Sequence, residues 1–482
     1  MTQHVIITPS VIEGSGEIDF RPYTKFRPKV WPQLIAAFAA NMGAVACGTV
    51  ISWSAPGFPS LEEDNNFGHF SKYAVSWISS SAALGACVTF IPFRVFMARF
   101  GWKRAMLFLT LPFLIGWTLM YFSQNLEMMI VGRFLTGIGG GGYAFAAPIY
   151  IAEISESKYR GVFKSVFDIL TGFGMLYILI CGTYLNWKNQ ILVCAFWPAV
   201  TLVLLFLVPE SPRYLLSKGF QKEGIKSLCW FRGTEDSDKI SDELFELMET
   251  IKENRAELLG LRIQEFKNPT IYRAAFFGIL LSIFQVLTGH TAVLYYTIYI
   301  LKSAGTDVDE YSSSSIVVAV GVIPGVLESL AVDECGRRLL LLISEALVVL
   351  ALASLGALFY MQKNYPHFGA QHLGWQPLMA LVVFMIGYSI GIGPVTYIVV
   401  PEILPQHMRG LVSSIVSSLH RGLLFASALL FYELLNTVCN DEGYWCYGYD
   451  SFVGFFFILF LAPETKRTTP QEAKRFLDIL GM

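Results

Sequence analysis

The sequence predicts an all-α membrane protein of twelve transmembrane helices, arranged as two halves of six. The chain of 482 residues is 54% hydrophobic and only 15% charged, and its mean hydropathy is +0.52. Soluble domains carry about 25% charged residues. A spanning helix needs roughly 20 apolar residues. Segments that meet this length lie near 33–55, 73–97, 105–122, 128–152, 161–185, 189–208, 273–300, 313–332, 339–360, 376–400, 411–435 and 444–462.

A polar stretch separates the sixth apolar segment from the seventh and suggests the domain organisation. We divide the chain into a tail (1–30), a first six-helix half (31–209), a central loop (210–271), a second half (272–463) and a final tail (464–482). Within the central loop, apolar residues at helical spacing predict an amphipathic helix. They are Ile240, Leu244, Leu247, Met248, Ile251 and Leu258. This helix could be either a solvated linker or a gating element, and the sequence does not decide between the two.

The distribution of Lys and Arg predicts the orientation, because cytoplasmic loops carry an excess of these residues. The odd-numbered loops hold Lys72, Lys188, Lys302 and Lys363 as their only Lys or Arg. The even-numbered loops and the tails are much richer, with Arg99, Lys103, Arg104, Lys158, Arg160, Arg337, Arg338, Arg409, Lys466 and Arg467 among them. Both termini and the central loop are therefore expected to be cytoplasmic, in a membrane that we expect to be the plasma membrane.

An internal repeat relates the two halves. Glu153 after helix 4 is followed by Arg160-Gly161, and Glu402 after helix 10 is followed at the same spacing by Arg409-Gly410. Helices 6 and 12 end in Pro-Glu-Ser and Pro-Glu-Thr, around Glu210 and Glu464. The helix 2–3 turn, RFGWKR, corresponds to the helix 8–9 turn, DECGRR. A parallel repeat of six helices predicts a solute site between the halves and alternating access by rocking.

Other classes of function lack support in the sequence. The glycine run Gly137–Gly142 lies inside a predicted spanning helix with no strand before it, so close helix packing is favoured over nucleotide binding. No nucleophile–base set or metal-ligand spacing stands out, and the net charge of −2 gives no sign of nucleic-acid binding. We therefore expect no enzyme activity, no cofactor and no nucleic-acid partner.

Taken together, these motifs resemble the sugar porter family of the major facilitator superfamily from about residue 30 to 475. The resemblance rests on Gly132-Arg133, PESPR (209–213), VDECGRR (332–338) and PETK (463–466). The first span is most similar to facilitated trehalose and glucose transporters. The resemblance implies a twelve-helix bundle that moves a sugar such as trehalose or a hexose without ATP. A proton-coupled porter, a porter of a charged or non-sugar solute and a non-transporting sugar sensor remain alternatives.

Charged residues at the helix ends are the candidate gating residues, because ion pairs between them would close the cytoplasmic side. The candidates are Arg133, Glu153, Arg160, Glu210, Asp333, Arg337, Arg338, Glu402 and Arg409. Interface anchoring by snorkelling is the alternative for any one of them. In the first-half turn, Ala98 and Trp102 stand where the family has Asp and Arg, so this copy of the gate is expected to be weaker.

The predicted substrate site also departs from the family. On helix 7 the family's paired Gln is reduced to Gln285, Thr291 replaces an Asn, and Tyr295 follows. On helix 10, Tyr397 replaces a Trp, after a Gly-Ile-Gly-Pro run in which Gly393 and Pro394 are expected to break the helix. The site thus keeps aromatic rings and loses neutral amides.

Three ionisable residues stand at positions that are usually neutral, Asp168 on helix 5 and His420 and Arg421 on helix 11. A carboxylate in hydrocarbon must be paired, hydrated or functional. Three interpretations follow: an ion pair between Asp168 and Arg421, recognition of a solute more polar than a plain sugar, or proton coupling through Asp168 or His420. Helix 1 offers only Thr49 and Ser52, which argues against proton coupling.

The remaining expectations concern partners and covalent links. We expect the chain to act as a monomer in the lipid bilayer, with a small solute, a sugar, as its partner. Cys439 and Cys446 fall in the predicted external loop between helices 11 and 12. A disulfide between them and a pair of free thiols are both compatible with that oxidising compartment.

Overall fold

A computed structural model of the chain describes residues 28–63, 72–156, 158–259, 269–305, 309–364, 374–404, 406–437 and 440–464. These residues are almost entirely helical, and no strand occurs among them. The first half contains α1 (Trp31–Ser52), α2 (Ser54–Glu62), α3 (Lys72–Phe100), α4 (Trp102–Tyr121), α5 (Leu126–Ile154), α6 (Arg160–Tyr184) and α7 (Trp187–Phe206). All six predicted segments of this half are therefore helical, with α2 continuing the first of them.

The rest of the chain follows the same plan. The central segment forms α8 (Pro212–Ser217), α9 (Gln221–Arg232) and α10 (Ser241–Leu259). The second half forms α11 (Pro269–Leu287), α12 (His290–Ala304), α13 (Glu310–Cys335), α14 (Arg337–Asn364), α15 (Gln376–Ile390), α16 (Ile392–Ile403), α17 (Gln406–Thr437) and α18 (Asn440–Leu461). Within the described residues, ten helical segments are long and apolar enough to cross a membrane. The other two predicted spans correspond to α5 and α13, which are 29 and 26 residues long.

Glycine residues on α5 allow the helices of the first half to approach closely. A Cβ atom on Gly137 would lie 2.0 Å from the carbonyl oxygen of Ala82 on α3, and one on Gly141 would lie 2.6 Å from the Cα of Ala86. Backbones at this distance gain dispersion contacts that larger side chains would prevent. The predicted packing role of the run Gly137–Gly142 is therefore confirmed.

Two of the predicted spans are broken in the middle. Gly289 separates α11 from α12 and has a φ of 74°, in the left-handed region that favours glycine. Gly391 separates α15 from α16. The predicted break at Gly393 and Pro394 was wrong by about two residues, because both lie in the first turn of α16. Proline is tolerated there, since the first N–H groups of a helix have no partner within it.

A serine side chain satisfies the backbone groups that the second break sets free. The hydroxyl of Ser344 on α14 donates to the carbonyl of Gly387 at 2.7 Å and accepts from the N–H of Ile392 at 2.8 Å. Unpaired backbone groups at membrane depth cost several kcal/mol each. Ser344 therefore provides partners for both backbone groups, so that the helix can be interrupted at this depth.

The two halves meet along α3 and α17, along α6 and α13, and where α12 reaches α1 and α2. On the α3–α17 seam, Ser76 donates to the carbonyl of Leu429 at 2.7 Å and Ser418 donates to that of Cys87 at 2.8 Å. On the other side, the methyl groups of Val322 on α13 lie against Gly172 on α6. The space between the two halves is enclosed by these two seams.

The central segment is docked onto the first half. The buried guanidinium of Arg232 on α9 donates to the carbonyl of Ile154, the last residue of α5, at 3.1 Å and pairs with Glu243 on α10. Ile240 packs on Leu228 just before α10 begins. The predicted helix in the central loop is confirmed, whereas α8 and α9 were not predicted.

Two glycine substitutions test the first helix break. Gly289→Ala and Gly305→Ala both place a Cβ at positive φ, which costs about 1–2 kcal/mol. Only at Gly289 does the new atom meet a neighbour, the ring of Tyr447 at 3.1 Å, while Gly305 has open space. We expect Gly289→Ala to lower the melting temperature in detergent more than Gly305→Ala. Equal losses would show that Tyr447 does not constrain the break.

Candidate functional site

Two adjoining cavities lie between the halves, beside both helix breaks. The Arg421 cavity has a volume of about 160 Å³ and is lined by Cys47, Val50, Ile51, Ala82, Ala83, Ala86, Gly137, Gly140, Gly141, Ala144, His290, Thr291, Leu294, Tyr295, Tyr388, Tyr397, His420, Arg421 and Leu424. The Asp168 cavity, of about 350 Å³, is lined by Asp168, Thr171, Gly172, Met175, His290, Leu294, Val318, Gly321, Val322, Met385, Tyr388, Ser389, Gly393, Pro394 and Tyr397. His290, Leu294, Tyr388 and Tyr397 line both and form their common wall. Mostly apolar walls with a few polar groups are typical of sites for small molecules.

The structure brings most of the predicted site residues to these walls. Thr291, Tyr295, Tyr397, His420 and Arg421 line the Arg421 cavity. Asp168 lines the other cavity together with Thr171 and Gly172, the two small residues that share its helix face. All six come from the helices α6, α12, α16 and α17, so the site draws on both halves of the chain.

Asp168 and Arg421 do not form an ion pair in this structure. They line different cavities, with the common wall between them, and no ion pair joins these two described residues. The Asp168 side chain is exposed to its cavity, and Arg421 is half-buried. The site therefore has a carboxyl group on one side and a guanidinium group on the other.

Gln285 lines neither cavity, although the sequence suggests it as a substrate ligand. Its amide nitrogen donates to the Tyr388 hydroxyl at 3.1 Å and to the carbonyl of Gly393 at 3.0 Å. Gln285 lies in the last turn of α11, just before the first helix break, and Gly393 lies just after the second. The side chain therefore ties the two breaks together and orients Tyr388 at the common wall.

Among the ring-bearing residues of the common wall, His290 and Tyr388 were not selected from the sequence. Their rings stack almost parallel, at an angle of 2° and a centroid distance of 3.5 Å. Because His290 is the first residue of α12, the break at Gly289 aims its ring inward. The available signal was their position next to the two glycine-containing breaks, where solute sites of transporters lie.

His420 and Tyr397 form the wall on the α16–α17 side. The two rings meet edge to face at 5.3 Å and 82°. His420 is 2% exposed, and its Nδ1 atom has no hydrogen-bond partner among the described residues. A buried ring nitrogen of this kind is a polar group still available to a solute hydroxyl.

The duplicated motifs meet at one end of each half, called here the motif end and marked by Gly101, Glu210, Gly336 and Glu464. Glu210 accepts from the backbone N–H groups of Trp102 and Lys103, both at 3.0 Å, in the first turn of α4. In the second half, Glu464 accepts from those of Arg337 and Arg338 at 3.0 and 3.2 Å. A carboxylate at a helix N-terminus satisfies free N–H groups and interacts favourably with the helix dipole.

The glycine before each capped helix makes room for the carboxylate. Gly101 and Gly336 have φ values of 95° and 90°. A Cβ atom would lie 2.5 Å from Oε2 of Glu210 at the first and 2.7 Å from Oε2 of Glu464 at the second. The repeated Gly and the repeated Pro-Glu motif are thus two parts of one helix cap.

The charged pairs at the motif end differ between the halves. Arg337 donates to Glu402 at 2.8 Å in the second half. In the first half the corresponding Glu153 accepts from the hydroxyl of Ser211, and Trp102 takes the place of Arg337. In the first half, a hydrogen bond from a neutral hydroxyl group therefore takes the place of the arginine–glutamate ion pair.

The other gating candidates have mixed positions. Arg338 donates to the carbonyl of Leu459, while the Arg160 side chain is exposed. The side chains of Asp333 and Arg409 lie outside the described part of the structure. Cys439 also lies outside the described residues, whereas Cys446 is exposed on α18.

Arg133 was wrongly grouped with the motif-end residues. It lies most of the length of α5 away from Glu153, about 30 Å at 1.5 Å per residue. Its fully buried guanidinium donates to the carbonyl of Val50 at 2.9 Å and to the hydroxyl of Ser54 at 2.8 Å. Arg133 thus joins α5 to the α1–α2 junction at the opposite end of the bundle.

Comparison with known proteins decides the family. The chain matches the family model described as "Sugar (and other) transporter" over residues 39–477. It is 32% identical over 446 residues to the facilitated trehalose transporter Tret1 of Apis mellifera ligustica, covering 92% of this chain and 88% of that protein. The chain belongs to the sugar (and other) transporter family. Tret1 of Drosophila yakuba is 30% identical, with 92% of this chain covered but only 52% of the relative.

Solved transporters of this type share the fold. The inward-open xylose transporter XylE from E. coli superposes with a TM-score of 0.76 at 22% identity, covering 92% of this chain and 99% of that one. The proton:xylose symporter XylE bound to 6-bromo-6-deoxy-D-glucose superposes with a TM-score of 0.71 at 22% identity and the same coverage. The predicted twelve-helix major facilitator fold is confirmed. This chain spans about half the length of the Drosophila relatives.

Replacement of Glu210 tests the cap at the motif end. Glu210→Ala leaves the first N–H groups of α4 without their acceptor, so we expect a loss of about 1 kcal/mol in stability. The measurement is thermal unfolding of the purified protein in detergent. Glu246→Ala, on the exposed face of α10, is the matched control and is expected to change little. A loss no larger than that of the control would contradict the capping role.

Proposed function

We propose that this protein is a facilitative transporter that carries a sugar, trehalose or a hexose, across a membrane by alternating access. The observation that carries the proposal is the pair of adjoining cavities between the halves, next to two broken helices. The side chains that line them combine flat rings with hydroxyl, imidazole and charged groups, the chemistry that sugar rings and hydroxyls require. The names of the relatives, facilitated trehalose transporters, point to the same class of solute.

The same proposal places the motif end on the cytoplasmic side of the plasma membrane. The excess of Lys and Arg in the even-numbered loops supports it. The two halves, 31–209 and 272–463, would then rock about the cavities as two bodies, with the tails 1–30 and 464–482 and the central loop 210–271 in the cytoplasm. We propose that one chain is sufficient, because the cavities are built from a single copy.

Gating is proposed to depend on the motif-end residues. Three kinds of contact hold neighbouring helices together there: the ion pair of Arg337 with Glu402, the helix caps formed by Glu210 and Glu464, and the hydrogen bond that Glu153 accepts from Ser211. We propose that these contacts change when the solute path opens to the cytoplasm. Four further residues remain gating candidates because of their positions in the duplicated motifs: Arg160, Asp333, Arg338 and Arg409. Arg133 would act at the opposite end of the bundle.

Uptake with varied pH tests the transport proposal. Oocytes that express the full chain should take up radiolabelled trehalose or glucose saturably, with a rate that does not change between about pH 5.5 and 8.0. Helix 1 has no acid next to the cavity, which supports pH independence. Uptake that collapses at alkaline pH would support proton coupling instead. Binding of sugar to the purified chain without uptake would support a sensor.

A substitution in the first-half turn tests the gating proposal. The indole of Trp102 lies near the Glu153 carboxylate, so Trp102→Arg is expected to create the pair that Arg337 and Glu402 form in the second half. The added pair should favour closure at the motif end. We expect slower labelling of Ser417→Cys by a maleimide from that side, in a background without other accessible cysteines.

The matched control for this substitution is Trp102→Gln, which removes the indole without adding a charge. Labelling at equal rates in Trp102→Arg and Trp102→Gln would contradict a gate at this position. Transport in the same two variants gives a second measure, since a stabilised closed state should lower the maximal rate of uptake in Trp102→Arg.

A further inference from the structure

The strongest unexplained feature of the site is the positive charge in the Arg421 cavity. Among the described residues that line it, Arg421 is the only Lys, Arg, Asp or Glu. Within the described parts of the chain it takes part in no ion pair. Its neighbours on the cavity wall include Cys47, Tyr295 and Tyr397, which are uncharged at neutral pH.

An arginine without a counter-charge is costly in this location. A charged side chain at membrane depth is destabilising unless it is paired or hydrated. The acidic residue of the site, Asp168, lines the other cavity, which the common wall with His290 and Tyr388 separates from Arg421. The protein therefore keeps a cation in a largely apolar cavity where a glutamine would bind a neutral sugar without this cost.

A second arginine lies on the same seam between the halves. Arg94 on α3 is half-buried and donates to the hydroxyl of Ser414 on α17 at 3.2 Å. It too is in no ion pair with a described residue. Ala86 lines the Arg421 cavity. It precedes Arg94 on α3 by about 12 Å along the helix axis, in the direction away from the motif end. Arg94 thus stands on the seam between the motif end and the cavity.

We propose that the transported solute carries one anionic group, a carboxylate or a phosphate on a sugar, and that Arg421 binds this group. The guanidinium offers a planar fork of donors that matches both anions. The rings and hydroxyl groups of the common wall contact the neutral part of the solute. Arg94 provides a second positive charge on the path from the motif end. This inference rests on the proposed transport function and names its solute class.

The test uses the full chain in proteoliposomes and four radiolabelled probes: glucose, trehalose, glucuronate and glucose 6-phosphate. We expect at least one of the two anions to be taken up saturably, with a kcat/KM at least about tenfold above that for glucose, as a charge-assisted hydrogen bond allows. Uptake of an anion by a uniporter also moves charge. Its rate should therefore rise when a potassium gradient with valinomycin makes the interior positive, while glucose uptake should not respond.

Variants separate binding of the anion from folding. Arg421→Gln should lower kcat/KM for the anion at least about tenfold and affect glucose uptake less, whereas Arg421→Lys should retain part of the anion uptake. Lys239→Gln removes an exposed charge of the central segment and should behave as wild type. Elution of each variant as a single species in size-exclusion chromatography shows that it is folded.

The possible outcomes distinguish this inference from the proposed function. If glucose or trehalose is taken up, and neither anion is taken up or inhibits that uptake, the anion assignment is overturned and the proposal of sugar transport stands. Anion uptake by Arg421→Gln at the wild-type rate would also overturn it. Failure of all four probes to enter would count against both proposals. Which of the two anions enters identifies the group as a carboxylate or a phosphate.

Discussion

The amide of Gln285 is the contact on which the geometry of the site depends. Inside a membrane, a break in a helix exposes backbone groups that no water can satisfy. Gln285 donates to Gly393 beyond the break between α15 and α16, and to Tyr388 on the wall that both cavities share. Ser344 satisfies the backbone on the other side of the same break. With these two side chains, α12 and α16 can start at the cavities and turn His290 and Tyr397 inward.

The duplicated end motifs contain the same helix cap in both halves but differ in the side-chain contacts beside it. In each half a glutamate caps the helix that begins after a glycine in the left-handed conformation. This cap needs only backbone donors, so it survives the change of the neighbouring residues. The arginine–glutamate pair needs a specific side chain, and among the described motif-end residues it forms in the second half, between Arg337 and Glu402. The halves therefore share a scaffold and differ in the contacts that hold the motif end together.

The electrostatics of the site set this chain apart from a neutral sugar site. One wall carries Arg421 and the other Asp168, and aromatic rings separate them. Because the interior of the bundle has a low dielectric constant, charges that are separated in this way act strongly on whatever enters. The shape and rings of the cavities fit a sugar, while the charge next to α17 favours a sugar with an anionic group.

The sequence by itself determined the twelve apolar segments that cross the membrane and the residues of the duplicated end motifs. Lengths of apolar segments identify spans reliably, since a bilayer has a fixed thickness, and the repeat relates Glu210 to Glu464 before any coordinates are known. It also placed Asp168, Tyr397, His420 and Arg421 on inward faces, because polar side chains cannot face lipid. Which of these residues share a cavity was decided only by the tertiary structure. The helix breaks interrupt the regular helical spacing of side chains, and contacts such as Gln285 with Gly393 join residues that are far apart in the chain. The place of Arg133 at the opposite end from Glu153 follows instead from their spacing along the single helix α5, whereas its contacts with Val50 and Ser54 were decided by the tertiary structure.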